Sequence, residues 1–597
     1  MNESSPTIVP PLPFAGLTGW DYAIVAVYAV ILASVGIVCR RLNKDPSAYF
    51  RGGGNMLWWV GGVSALSTGI STWTFTGGAA KSYLDGFVYP LTLFLGVVPA
   101  LLALWFLAPR FRRIRVITSM EAVFRRFGLG TEQFYTWFTL PMGIFWGGIG
   151  LNTIGVFMAA VFGMDLAWTI LAFGLLLTFI AVLGGQWAIS FFAVVQGALL
   201  VLVVMVVAAG TLLHPAIGGP ANLSSVLPAR HLDFGLEASS ALVWLWIIWN
   251  AAFWTLNQMD LRNSGKFVRV KDDSSARKMV FLMLLPMLAL PFLMQIPSIC
   301  AAVLYPDLSL VFPQLKRPEE GAWLAMALTI LPQGLIGLMV CTMFGAAADS
   351  TDAALNANAG FFTRNVYARY LRPSASLENQ VFVGKIVTAL FGLITIGVGL
   401  AVNSLRELNL FDLFQILNAM LLPPMIVPMV LGIFFRHTPD WSGWSTVLAG
   451  LLAAVAAKAL YSAEAVRQLF GISRDLNERE LVDSQFLFIS ALTWGVSILW
   501  FFGTRFFWIR SSAEHRARVE ALFDDLAKPV DHLGEGGEDQ DNMQYRLVGT
   551  LALVVGGLVL LGVLIPNPVG GRLAFLFIGA MVSLLGWSLL RLANSRN

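Results

Sequence analysis

Long apolar runs separated by short polar segments fill this chain from residue 21 to residue 592. The runs fall at 21–39, 55–80, 86–109, 133–163, 165–183, 187–213, 239–261, 279–304, 333–357, 379–402, 409–435, 442–461, 484–503, 546–565 and 572–592. Each is long enough to cross a hydrocarbon core of roughly 30 Å, so the pattern predicts an all-α integral membrane protein of about fifteen transmembrane helices. Composition agrees. Charged residues make up 12% of the chain and hydrophobic residues 57%, whereas soluble domains carry about 25% charged residues. The shortage of charge is spread along the whole chain.

The distribution of Lys and Arg sets the expected orientation. Segment 109–132 holds Arg110, Arg112, Arg113, Arg115, Arg125 and Arg126, and segment 262–278 holds Arg262, Lys266, Arg269, Lys271, Arg277 and Lys278. Loops 40–54 and 364–372 are also basic, and all four fall on one side if the spans alternate. The positive-inside rule makes that side cytoplasmic, with the N-terminus outside, the C-terminus inside, and a cell (inner) membrane location. The first twenty residues lack a basic n-region, so the first span is the expected targeting signal. A net charge of +4 scattered over loops does not point to nucleic acid.

Soluble-enzyme signatures fail. "GGAAKS" at 77–82 lacks the glycine spacing of a phosphate loop, and there is neither a zinc-ligand spacing nor a nucleophile elbow. Cys39, Cys300 and Cys341 stand at unrelated spacings in or beside apolar runs, as small packing residues do. No histidine lies inside a span, which argues against haem, zinc or a histidine relay in the membrane. An enzyme is therefore not expected. Segment 504–545 combines a helical pattern with a Gly/Glu/Asp-rich stretch and reads as a surface helix plus linker.

Polarity inside the spans remains, and in a bilayer polarity marks function or tight helix contact. The second span carries Ser64, Ser67, Thr68, Ser71, Thr72, Thr74 and Thr76 among Gly69, Gly77 and Gly78. Such a stretch weakens a helix and offers oxygens to an ion; close packing through small residues is the competing reading. The seventh span sets Asn250, Asn257 and Gln258 among Trp244, Trp246, Trp249, Phe253 and Trp254. Aromatic faces with isolated amides suit a solute, and they equally suit an aromatic packing stripe. The ninth span ends in "FGAAADSTDAALNANAG", where Asp349, Asp352 and Asn356 share one helical face. Oxygen ligands there favour a hard cation; alternatively, Asp352 pairs near the helix end with Arg364.

Three stretches in the right order resemble the sodium:solute symporter family. They are "WWVGGVSALSTGISTWTFTGGAAKSY", "FWTLNQMDLRNSGKFVRVKDDSSARKMV" and "LPQGLIGLMVCTMFGAAADSTDAALNANAGFFTRNVY", within a similarity covering roughly residues 20–460. The resemblance implies a LeuT-type fold of two inverted five-helix repeats, at 55–213 and 239–435. An N-terminal segment with the first span (1–54), additional spans (436–503), a cytoplasmic linker (504–545) and a C-terminal helix pair (546–597) would flank them. It implies breaks at midplane in the first and sixth core helices. It implies secondary active symport of a small organic solute, coupled to Na⁺. H⁺ coupling on the same fold and a transporter-like sensor are the alternatives. Carried over by position, Na⁺ would be held by the carbonyls of Ser67, Ile70 and Ala346 and the side chains of Asp349 and Ser350. The solute would lie near Thr74, Asn250, Phe253, Trp254, Gln415 and Asn418. Sugar-transporting members have Glu, Lys and Gln where Leu93, Met287 and Ile416 stand here, which speaks against a galactose-like solute. Family members also commonly carry an aspartate at the position of Ala193 and a serine or threonine at 349, so the charge at Asp349 reads as relocated.

Overall fold

The structure, a computed structural model, describes residues 16–39, 49, 52–232, 238–313, 315–405, 410–531 and 540–595. The first half contains α1 (Gly19–Cys39), α2 (Trp58–Gly69), α3 (Gly77–Asp85), α4 (Val88–Arg113), α5 (Ser119–Phe127), α6 (Leu129–Phe162) and α7 (Leu166–Leu212). Next come α8 (Ala238–Gln258), α9 (Asp273–Leu284), α10 (Leu290–Leu304), α11 (Ala322–Ile330), α12 (Leu335–Phe362), α13 (Leu377–Leu405) and α14 (Leu410–Phe434). The chain ends with α15 (Ser442–Leu460), α16 (Ala463–Phe470), α17 (Glu478–Thr504), α18 (Ala513–Ala527), α19 (Asp541–Leu561) and α20 (Val569–Ser595). Among the described residues, ten helical segments are long and apolar enough to cross a membrane. The expected spans 165–183 and 187–213 both lie within the single helical run α7.

The break expected in the second span is present. Helix α2 stops at Gly69, Ile70 leaves the helical conformation, Ser71 is extended, Thr72–Phe75 make one 3₁₀ turn, and α3 starts at Gly77. The break expected in the sixth core helix is not: α8 runs unbroken from Ala238 to Gln258. The reason is local. No Gly or Pro occurs in this stretch, and its polar side chains turn back onto their own helix. The Asn250 amide donates to the Trp246 carbonyl (2.9 Å) and the Thr255 hydroxyl to that of Ala251 (2.9 Å). The adjoining segment is the interrupted one, with a 3₁₀ turn at Leu285–Leu288 and prolines at 286 and 291.

Two peripheral elements pin the ends of the central helices. On α1, Asp21 is buried and its Oδ1 accepts the backbone N–H groups of Gly334 and Gly337, both at 2.7 Å. A carboxylate there satisfies orphan donors at the start of α12 and complements its dipole. Helices α19 and α20 form a hairpin in which Gly556 faces Ser583 and Gly586 faces Leu553, so closely that any Cβ would collide. Small residues permit this approach in a membrane. Buried Gln544 then grips the chain just before α2, accepting from Leu57 N–H (2.9 Å) and donating to the Asn55 carbonyl (2.8 Å). At the far end, Asn567 donates to the Gln333 carbonyl beside α12.

The segment read as a surface helix plus linker is only partly that. Helix α18 buries His515, Val519, Leu522 and Leu526, and Arg113 donates to the Leu526 carbonyl (2.8 Å) while Arg125 pairs with Asp525. It thus docks on the basic 109–132 segment. Arg126, fully buried, donates to the carbonyls of Gly432 (2.6 Å) and Phe435 (2.7 Å), satisfying the C-terminal end of α14.

Candidate functional site

The α2–α3 break faces a cavity of about 500 Å³ lined by residues of α4, α6, α8, α12 and α14. It is held in shape from three sides. The Ser67 hydroxyl donates to the Ala193 carbonyl on α7 (3.0 Å), and that of Thr72 to the Met343 carbonyl on α12 (3.3 Å). Gln295 on α10 donates to the Thr74 carbonyl (2.9 Å). Within the break, Thr74 N–H bonds to Ser71 O instead of reaching Ile70 O. The Ile70 carbonyl is thereby released from the helical ladder beside α12, which is how an interrupted membrane helix presents oxygen to a cation.

All six residues expected to face a solute line this one cavity: Thr74, Asn250, Phe253, Trp254, Gln415 and Asn418. Asn257 and Ile70 also line it, whereas Gln258, at the last position of α8, does not. Gln415 Nε2 donates to Asn250 Oδ1 at 2.7 Å, so the two amides act as one fixed unit across α8 and α14. The Phe253 ring packs edge-on against Trp494 of α17 (centroids 6.0 Å apart) and near Phe486. Leu93 and Met287 line the wall, and Ile416 does not.

Ser67, Ile70 and Ala346 are all buried, with Ala347 and Thr351 of α12 lining the cavity beside them. The backbone of α12 carries positions 349, 350 and 352 within this helix, and the side chains of Asp349, Ser350 and Asp352 lie outside the described residues. The α7–α12 contact below is fixed by buried Gln196. It donates to the Thr342 carbonyl (2.6 Å) and accepts from the Tyr28 hydroxyl (2.6 Å).

Several parts of the site escape sequence reading. Trp73 stacks on Phe411 (5.5 Å) and meets Phe414 (5.0 Å) and Tyr89 (5.8 Å), forming an aromatic cover that joins the break to α14. Above it, Lys81 Nζ lies 4.8 Å from the Trp246 ring centroid and 5.4 Å from that of Phe411. Lys81 pairs with Asp85 (2.9 Å) and Asp483 (3.2 Å), and Arg479 pairs with the same two carboxylates (3.1 and 3.3 Å). Two cations and two carboxylates alternate in a closed ring that ties α3 to α17. Its signal was available: a lysine in "GGAAKS" continuing an apolar span is costly unless paired.

Residues 49–443 match the sodium:solute symporter family. Sodium/myo-inositol cotransporter 2 of Oryctolagus cuniculus is 25% identical over 74% of this chain and 70% of its own length. The sodium/glucose cotransporter of Vibrio parahaemolyticus is 23% identical over 71% and 82%, and the sodium/sialic acid symporter of Proteus mirabilis 23% over 73% and 89%. A solved structure of a Na⁺-coupled sialic acid symporter, in an outward-open, substrate-bound state, shares the fold. Its TM-score is 0.64 over 81% of this chain and 97% of that one, at 19% identity. With its broken helix, the cavity beside it and a family match across about two thirds of its length, the chain belongs to the sodium:solute symporter family, multi-pass membrane proteins that couple movement of a small solute to Na⁺.

Proposed function

We propose that the 500 Å³ cavity holds a small uncharged organic solute with an apolar face, imported together with Na⁺ by alternating access. The observation that carries this reading is the cavity wall beside the helix break. Eight aromatic side chains line it and none of its described lining residues is charged. A buried charge on the solute would need a partner. A polyhydroxylated sugar would need many hydrogen-bond partners, where Leu93 and Met287 offer none. The Asn250–Gln415 pair and the Trp73 indole N–H, buried without a partner among the described residues, suit one or two polar atoms on an otherwise apolar molecule.

Na⁺ would sit between the break and α12, on the carbonyls of Ser67, Ile70 and Ala346 with Asp349 and Ser350. Asp349 supplies the negative charge. A carboxylate in a membrane interior either holds a cation or takes a proton, so Na⁺ and H⁺ compete at this position. The basic ends of α4 and α9 face the cytoplasm, in the cell membrane. The driving force is adequate: one cation moving through about 100 mV releases about 2.3 kcal/mol.

The test is uptake from a panel of labelled solutes into proteoliposomes under imposed Na⁺ or H⁺ gradients. Uncharged amphipathic solutes should accumulate under Na⁺. Phe253→Ala and Asn250→Ala should each raise the half-saturating solute concentration. Asp349→Asn should weaken Na⁺ activation sharply and flatten the pH profile. Accumulation of a sugar with unchanged affinity in both cavity variants would refute the solute site, and wild-type Na⁺ and pH curves in Asp349→Asn would refute the ion site.

A further inference from the structure

Helix α17 does not end in a loop. It passes directly into a 3₁₀ turn, Arg505–Arg510, with the sequence RFFWIR. The turn presents its apolar side chains outward: Phe506 is 86% exposed and Ile509 81%. Beside it lies an open groove of about 630 Å³, bounded by His437, Leu499, Phe502, Gly503 and Arg505. The groove continues along the exposed face of α17, where Leu499 is 74% exposed.

The charges at this end are unbalanced. The Arg505 guanidinium lies over the Phe435 ring (5.3 Å), that of Arg510 over Phe507 (5.8 Å), and that of Arg436 over Phe523 (4.6 Å). Among the described residues, none of these three arginines has a carboxylate within ion-pair distance. Elsewhere at the same end, Arg113, Arg125 and Arg364 each have one. The arginines are held by ring faces, which leaves their N–H edges for an external acceptor.

An occupant must satisfy both halves of this surface. It must be anionic at Arg505 and apolar along Leu499 and Phe506, and its apolar part must extend into the layer that α17 crosses. A soluble protein or free anion meets only one of these demands. We propose that the groove is a binding site for one anionic phospholipid, with an acyl chain along Leu499 and Phe506. Its phosphate and negative headgroup lie at Arg505, Arg510 and His437. The floor is open because residue 503 is glycine; a Cβ there would meet nothing within 4 Å. A side chain at 503 would therefore fill the groove without disturbing its walls.

The groove lies apart from the solute cavity and shares no lining residue with it. The purified protein in detergent is titrated with phosphatidylglycerol or with phosphatidylcholine of the same chains. Bound lipid is counted by native mass spectrometry, and thermal stability is followed in parallel. Wild type should bind one phosphatidylglycerol in preference to phosphatidylcholine. Arg505→Gln with Arg510→Gln should weaken phosphatidylglycerol binding about thirtyfold, as expected for two basic residues facing an anionic headgroup, and leave phosphatidylcholine unchanged. Gly503→Leu, which keeps every charge, should lose the same lipid by occlusion. Preference for phosphatidylglycerol that survives in both variants overturns the proposal. So does equal protection by inorganic phosphate alone, which would make this a soluble-anion site.

Discussion

Replacing Lys81 by Met removes one cation from the alternating ring of Lys81, Asp85, Arg479 and Asp483. Methionine keeps the stem packed against Trp246 and Phe411, so the change is mainly electrostatic. Asp483 and Asp85 are both nearly buried and would then share only Arg479. Breaking a buried pair by deleting one partner costs about 3–5 kcal/mol, because a desolvated charge is left uncompensated. Arg479 still contacts both carboxylates, which places the expected loss at the lower end, about 3 kcal/mol, or roughly 150-fold in the unfolding equilibrium. Adding Asp483→Asn removes the surplus charge and leaves Arg479 and Asp85 as a balanced pair. The double variant should therefore recover at least about 1.5 kcal/mol of that loss. The assay is an SDS titration of the four species of the cycle in dodecyl maltoside micelles. Losses that simply add, or a Lys81→Met variant within about 0.5 kcal/mol of wild type, would show that the ring does not hold α3 to α17.

Gln544→Ala should cost about 1–3 kcal/mol in the same titration, since it orphans the buried Leu57 N–H and Asn55 carbonyl; a neutral result would mean that the α19–α20 hairpin does not support the start of α2. Gly345→Ala sets a Cβ 2.1 Å from the Gln196 side chain and should destabilise by about 1–3 kcal/mol through overpacking. Adding Gln196→Ala should restore part of the loss, and no restoration would place the strain elsewhere. His515 Nε2 donates to the Thr438 carbonyl (3.1 Å), and burial, with Arg126 nearby, holds its pKa below the usual 6.5. The unfolded form therefore binds the extra proton first. The stabilisation is complete above about pH 6.5 and declines as pH falls through the lowered folded value. Hydrogen exchange in α18, corrected for intrinsic rates, should accelerate between about pH 7.5 and 5.5 in wild type and not in His515→Gln, and identical profiles would refute the assignment.

The apolar pattern of the chain sufficed for the helical class and for the places where most helices begin and end, and the hydroxyls and glycines of the second span, with the family resemblance, pointed to the break at Gly69–Gly77. Each of these is a local consequence of composition. A bilayer demands runs of a set length, and clustered hydroxyls with glycines weaken a helix wherever they occur. The family resemblance also singled out positions that the fold brings together. Thr74, Asn250, Phe253, Trp254, Gln415 and Asn418 come from three distant segments and line one cavity. Reading failed where the answer depended on what a side chain meets. The resemblance implied a second break in α8, but Asn250 bonds to Trp246 and Gln415, and the helix stays whole. Lys81 and Asp483, 402 positions apart, gave no sign of each other, because an ion pair depends on distance in space and not on spacing along the chain. Nor did α18 betray its docking, since its partners Arg113 and Arg125 lie some four hundred residues earlier. Tertiary packing alone turned Trp73, Phe411 and Phe414 into a cover over the cavity. An aromatic residue in an apolar span is equally at home against lipid, and only its neighbours decide which surface it serves.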